Sequence, residues 1–243
     1  MSSITIRPLT SLDEIHALAD LQRSAWAAIP DRELVPAHLL RGISANGDLL
    51  LGAFLGEQLA GFVMGIMGWA DWLNPPVLQV YSATMGVLEA YQSHGIGFQL
   101  KLAQREWALQ RGIKLVTWTY DPLLARNAWL NVGKLGVICG RYHTHFYGQD
   151  EDRFHVEWWL ESERVGERLA GMRPRTRTDY PATAITIPIP HDYLALERSD
   201  PAAASQWRTQ TRHQFTTLFA TGYQVVDFLR EEPQTAYILV KQS

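Results

Sequence analysis

Six consecutive residues carry the first chemical signal in this chain. Gln92-Ser93-His94-Gly95-Ile96-Gly97 follow a strand-like end, Gly86-Val87-Leu88-Glu89, and run without a break into a helical pattern. A loop that opens a helix leaves several backbone N–H groups unpaired and aimed along one axis, with the positive end of the helix dipole behind them. Such a terminus suits a pyrophosphate. Gly95 and Gly97 have no Cβ, so the chain can turn sharply and an anion can approach the backbone closely. A dinucleotide fingerprint is excluded, because it needs Gly or Ala where Leu100 stands. A P-loop is excluded as well, because neither glycine is followed by Lys. A glycine-bearing turn with no ligand is the competing reading.

A second set of residues has the chemistry to move protons or hold a carboxylate. Asp121 closes the strand-like run 114–120. The run Arg141-Tyr142-His143-Thr144-His145-Phe146-Tyr147, read as a strand, puts His143 and His145 on one side and Tyr142 on the other. Asp121, Tyr142 and His143 are therefore the candidates for general acid–base work. His143 and His145 lack a carboxylate or cysteine partner at a telling spacing, so no metal is expected. Glu89 fits a solvated strand end as well as a base. Further on, Trp207, Arg208, Thr211, Arg212 and Phe215 recur one helical turn apart. Arg208 and Arg212 could grip a substrate carboxylate bidentately, or could form a salt-bridged surface beside a buried Trp and Phe.

These residues need a folded frame, and the composition provides one. The chain has 243 residues, 47% hydrophobic and 19% charged, enough for one large domain or two small ones. A net charge of −3 gives no reason to expect nucleic acid or an anionic membrane as partner. No apolar run reaches the roughly 18 residues of a membrane span. The N-terminus lacks a signal-peptide pattern, and Cys139, the single cysteine, forbids an intrachain disulfide. A cytoplasmic protein with a buried, inert Cys139 is expected.

Periodicity supplies the elements. Ile4 to Leu9 alternates as a strand, and Ser11 with Glu14 forms a capping box before a helix that ends by Pro30. A short helix over 36–43 precedes a hairpin, 48–55 and 58–69, turned at Gly56-Glu57. Asn74-Pro75-Pro76 breaks the chain before a strand over 77–88. The loop helix follows, with Leu100, Leu102, Ala103, Trp107 and Leu109 for its buried side and Gly112 at its end. A strand over 114–120, a helix over 123–135 stopped by Gly136, and strands over 137–147 and 153–160 complete this part. Beyond it come a helix over 162–172, a linker at Arg173-Pro174-Arg175-Thr176-Arg177 and a strand over 184–189. A helix opened by Asp200 and Pro201 follows, then Gly222 and a hairpin, 223–229 and 235–240.

The element order, with Q-x-x-G-x-G behind a strand, resembles the GNAT N-acyltransferase superfamily. Asp121-Pro122 through Arg126-Asn127-Ala128 to Leu135-Gly136 is similar to its last core motif. The resemblance implies an α+β fold of three layers with a central mixed, mostly antiparallel sheet. Residues 1–160 would form the acyltransferase core and 161–243 an α+β extension packed on it. It also implies acetyl-CoA or another acyl-CoA as cosubstrate. The pyrophosphate would lie on Gln92, Ser93, His94, Gly95, Ile96 and Gly97, and the pantetheine between splayed strands four and five, on the backbone near Val87 and on Asn127. Two departures stand out. Many members have Arg where this chain has Gln92, and Asn127 is two residues out of the commonest register.

The Tyr that often protonates the departing thiolate in that superfamily falls on Val132, which has no proton to give. Another residue, solvent, or a binding-only role must account for it. The implied function is acyl transfer from coenzyme A to a small-molecule amine or amino acid by direct attack. An acyl-CoA-binding sensor without turnover is the alternative, and a homodimer is the assembly to test. Strand, helix, Gly and hairpin also recur in the C-terminal third. There Lys134-Leu135-Gly136-Val137 and Ala220-Thr221-Gly222-Tyr223 share only a position at a helix end.

Overall fold

The computed structural model describes residues 4–26, 30–148, 151–172, 176–231 and 234–242. Arg173, Pro174 and Arg175 of the expected basic linker lie outside them. The chain divides into two compact units, Met1–Val116 and Thr117–Ser243.

In the first unit, strands β1 (Ile4–Pro8), β2 (Leu49–Leu55), β3 (Gln58–Ala70) and β4 (Val77–Val87) pair antiparallel in that order. Helices α1 (Leu12–Ala25) and α2 (Ala37–Asn46) cover one face through Leu18, Leu21, Leu40, Phe54 and Phe62. The capping box at the start of α1 is present, with Glu14 N donating to Ser11 Oγ (3.2 Å) and Ser11 N to Glu14 Oε2 (3.2 Å). The Arg7 guanidinium, against a partial burial that would raise it and together with the Ser11 contacts, holds the Glu14 carboxyl down at about 2. The hairpin turn at Gly56-Glu57 and the break at Asn74-Pro75, a cis peptide, fall where the sequence places them.

Helix α3 (Ile96–Leu109) packs on β3 at close range, because Gly61 has no side chain. A Cβ there would sit 3.2 Å from Ile96 Cγ2 and 3.3 Å from Leu100 Cδ1. Its buried stripe is Ile96, Leu100, Lys101, Gln104 and Ala108. That corrects the expected set: Leu102, Ala103, Trp107 and Leu109 flank the stripe and are only half-buried.

The second unit contains strand β5 (Leu115–Tyr120) from Thr117 onward, with β6 (Ile138–His143), β7 (Arg153–Trp159), β8 (Ile185–Ile189), β9 (Tyr223–Glu231) and β10 (Gln234–Lys241). The strands lie in the order β5-β7-β6-β9-β10-β8. Between them run α4 (Ala125–Ala128), α5 (Glu163–Leu169), α6 (Tyr193–Ser199) and α7 (Pro201–Ala220). The expected helix over 123–135 is only one turn of α-helix. It continues as a π-helix, Trp129–Lys134, in which Leu135 N bonds Leu130 O, and ends at the left-handed Gly136 (φ 75°). Asp200 caps α7 with Pro201 at its first position, as expected.

Phe154, Phe215, Phe228 and Tyr237 are fully buried and form the aromatic centre of this unit. The buried hydroxyls there are paired. Tyr237 Oη donates to Pro122 O (2.8 Å), and Tyr120 Oη lies 3.2 Å from Tyr237 Oη. A buried charge is paired too: Arg168 reaches Asp227 at 2.6 Å, and Tyr180 Oη donates to the same carboxylate at 2.6 Å. The α+β class is thus present in full, with helices on both faces of the sheet in the first unit.

Candidate active site

The loop between β4 and α3 is built by its own polar side chains. A short 3₁₀ turn, Glu89–Tyr91, follows the strand, and Gln92 then leaves extended. Gln92 Nε2 donates to Val87 O (3.2 Å) and lies 3.5 Å from Ala25 O, so the side chain ties the loop back to the strand end and to α1. His94 Nδ1 donates to Gln92 O at 2.8 Å, which fixes the proton on Nδ1 because a carbonyl can only accept. Ser93 adopts φ 67° and Gly95 φ 82°, two left-handed residues in three. Successive residues of this kind turn their N–H groups toward one side.

Gly95 is the N-cap of α3 and offers no side-chain cap. Among the described residues, the N–H groups of Ser93, His94, Gly95, Ile96 and Gly97 have no hydrogen-bond acceptor. A Cβ on Gly95 would meet nothing within 4 Å, and one on Gly97 only Met85 Cε at 3.6 Å. Packing therefore requires neither glycine, while the left-handed φ of 82° favours glycine at position 95. Ser93, His94 and Gly95 are exposed. A run of unpaired donors at the head of a 14-residue helix, open to solvent, suits an anion such as a diphosphate.

Beneath this helix lies Lys101, which sequence reasoning missed. It is 2% exposed, and its Nζ donates to Ser82 Oγ (2.9 Å) on β4 and Gln104 Oε1 (3.0 Å). Burial pushes the ammonium down to about 7. Its spacing from Ile96, Gln104 and Ala108 on the apolar stripe was the available signal.

The remaining candidates lie in the second unit, where the structure brings several together. Asp121 and Arg208 form a bidentate pair, Nη1–Oδ1 3.0 Å and Nη2–Oδ2 2.8 Å, and Asp121 Oδ1 also accepts from Leu123 N at 2.9 Å. Burial disfavours the Arg208 charge, but the contact with Asp121 outweighs it and raises the group above its ordinary value. Tyr142 and Arg212 meet on one carboxylate, that of Asp152. Tyr142 Oη donates at 2.7 Å and Arg212 Nε at 2.8 Å to Oδ2, while His145 N donates to Oδ1 at 3.1 Å. Asp152 is wholly buried. Burial would raise its carboxyl, but Arg212, Tyr142 and His145 together hold it below the usual range. Burial and the Asp152 contact push the Tyr142 phenol up, so it stays protonated.

His143 ends β6, and its expected partner across the strand face is not there. The strand stops at His143, and His145 turns away with φ 54°. Burial, with the Arg141 charge, lowers the His143 imidazole, so the ring is neutral near pH 7. Its Nε2 is buried without a hydrogen-bond partner among the described residues. Asn127 stands half-buried on α4, and Val132 is wholly buried in the π-helix. Cys139 is fully buried and its thiol is pushed up by burial, which makes it inert. No group of three or more potential metal ligands occurs among the described residues. Asp152 was invisible in the sequence, because a lone Asp before a strand carries no motif.

Comparison with known proteins follows this geometry. The family model for the acetyltransferase (GNAT) family matches residues 15–130. No curated protein matches the sequence. Among solved structures, the Escherichia coli ribosomal-protein-S18-alanine N-acetyltransferase superposes with a TM-score of 0.53 at 16% identity, covering 66% of this chain and 96% of that one. Arabidopsis thaliana NAA60 in complex with a bisubstrate analogue gives 0.55 at 19% identity, over 65% and 99%. The NatC complex bound to Gag peptide and CoA gives 0.53 at 16% identity, over 64% and 97%. The family model thus spans the Gln92–Gly97 loop, and the chain shares the fold of these structures over nearly their whole length.

Proposed function

We propose that the protein transfers an acetyl or other short acyl group, such as succinyl, from coenzyme A to the amine of a small molecule or amino acid. The observation that carries this reading is the row of unpaired N–H groups from Ser93 to Gly97 at the head of α3, set by the left-handed Ser93 and Gly95. These amides, with Gln92 bracing the turn, hold the pyrophosphate. The backbone at Val87 and the amide of Asn127 serve the pantetheine arm. An acyl-CoA supplies an activated thioester, so the chain needs only to orient the amine and take its proton.

Of the three proton-transfer candidates, His143 is best suited. Asp121 is committed to Arg208, and the Tyr142 hydroxyl to Asp152. His143 is neutral near pH 7 and keeps an uncommitted Nε2. Arg208 and Arg212 reach a substrate carboxylate only by sharing charge with Asp121 and Asp152, so amino acids are one acceptor class among several to assay. Residues 1–160 serve as the catalytic core and 161–243 as its extension. Support comes from the share of the chain, about two thirds, that the solved structures cover. The single, buried Cys139 fits a reducing, cytoplasmic setting.

The decisive assay follows free coenzyme A as amines, amino acids and short peptides are offered with acetyl-CoA and with succinyl-CoA. Release with at least one pair supports transfer. A second reading, an acyl-CoA sensor, is favoured by Val132, a wholly buried valine where a proton-donating Tyr is common. Coenzyme A binding without release for any pair would select it.

A further inference from the structure

The second unit repeats itself. Read inward from either edge, the order β5-β7-β6-β9-β10-β8 gives an outer strand, the return strand of a hairpin, then the hairpin's first strand. Each half runs strand, helix, left-handed glycine, hairpin. The π-helix ends at Lys134 and Gly136 has φ 75°; α7 ends at Ala220 and Gly222 has φ 83°. The two glycines are 86 residues apart, and at that separation β6 maps inside β9.

The hairpin registers then coincide pair by pair. Ile138↔Glu157, Arg141↔His155, Tyr142↔Phe154 and His143↔Arg153 in the first hairpin correspond to Gln224↔Val240, Asp227↔Ile238, Phe228↔Tyr237 and Leu229↔Ala236 in the second. The separation along the return strand is a constant 83 residues. Both hairpins carry a register shift in the same interval, 138–141 in one and 224–227 in the other. A bulge placed identically in two hairpins is a specific feature, since bulges are local choices of the chain.

The halves are also joined as a symmetric pair would be. Cys139 corresponds to Val225, and these two residues are Cα partners where β6 and β9 pair antiparallel. An equivalent pair that faces itself lies on a two-fold axis. Phe154 and its equivalent Tyr237 meet edge to face, ring centroids 5.2 Å apart. Side-chain identity has been lost at almost every matched position, so only geometry preserves the relation.

We propose that the segment from β8 to β10 is a second, incomplete copy of the β5–β7 half, docked in cis so that the chain supplies its own partner subunit along the β6 edge. The copy has no equivalent of the 92–97 loop. Among the described residues, the helical segments between β7 and β8 are the seven-residue α5, capped by the Ser162 side chain, and a 3₁₀ turn, Arg177–Asp179. Its helix α7 instead extends Arg208 and Arg212 to Asp121 and Asp152 of the first copy. The β6 edge is thereby closed to other chains.

This inference is independent of the acyl-transfer reading, and its test uses no ligand. Val225→Cys in the full chain sets a second thiol directly opposite Cys139, the only native one. Because the folded chain buries Cys139 as an unreactive thiol, the variant is refolded from denaturant under mild oxidation, which should remove both thiols, lower the intact mass by two hydrogens, and leave a monomer on a denaturing gel without reductant. A disulfide-linked dimer, or two thiols still titratable after denaturation, would overturn it. Should the variant not fold, amide exchange of the wild-type chain decides. Residues 224–229 should be protected as strongly as 138–143, and exchange of the former within seconds while the latter persist would overturn it equally.

Discussion

Lys101 is a cation held where water does not reach, and its linkage to stability has a definite sign. Its ordinary value of 10.5 falls to about 7 in the folded chain. Below about pH 7 both states bind the proton and the penalty is constant. Between about 7 and 10.5 only the unfolded state binds it, so stability rises with pH, by at most about 1.4 kcal/mol per unit. Lys101→Met should flatten that rise; urea midpoints of both proteins at pH 7 and pH 9 measure the difference, and parallel slopes would refute it. His143 makes a kinetic prediction. His143→Gln should lower kcat by about 10²-fold or more with coenzyme A affinity unchanged, as expected for loss of a general base. The wild-type rate should fall on acidification through a value below 6.5, because burial depresses the ring. At this scale the sequence pointed to the 92–97 loop and to His143 as candidates. It could not identify Asp152, whose importance comes from Tyr142 and Arg212 converging from elements far apart in the chain.

Between elements, the Asp152 knot ties β6, the turn after it and α7 to one carboxylate. Removing a buried partner from such a group leaves a charge uncompensated, so Asp152→Ala should cost about 3–5 kcal/mol in chemical denaturation. Because the Asp152 carboxyl sits below its ordinary 3.8, its contribution is present above that value and is lost as pH falls through the lower folded one. Asp152→Asn, which can still accept from Tyr142, should cost less. Ser11→Ala, which removes the α1 cap, should cost about 1 kcal/mol. Most elements were legible because caps, turns and alternation are local: Ser11, Gly56-Glu57 and Asp200-Pro201 each fix a boundary by their own chemistry. The failures were also physical. Alternation continued past His143 in the sequence, but the backbone turns at His145, and the helix expected over 123–135 gives way to a π-helix after Ala128.

Across the whole molecule, an unpaired helix terminus in the first unit and a repeated sheet half in the second are the two organising features. The repeat was visible as an order of elements yet not as residues, because Cys139 and Val225, or Arg141 and Asp227, share positions and no chemistry. Hairpin register, which sequence does not reveal, carried the relation. The central claim remains the backbone grip on a diphosphate from Ser93 to Gly97, and calorimetric titration of the full chain with coenzyme A tests it most directly. We predict saturable binding of one coenzyme A per chain, weakened at least tenfold by Gly95→Val, since a β-branched residue resists the φ of 82° that aims the amides. No heat at millimolar coenzyme A, or equal affinity in the variant, would contradict it.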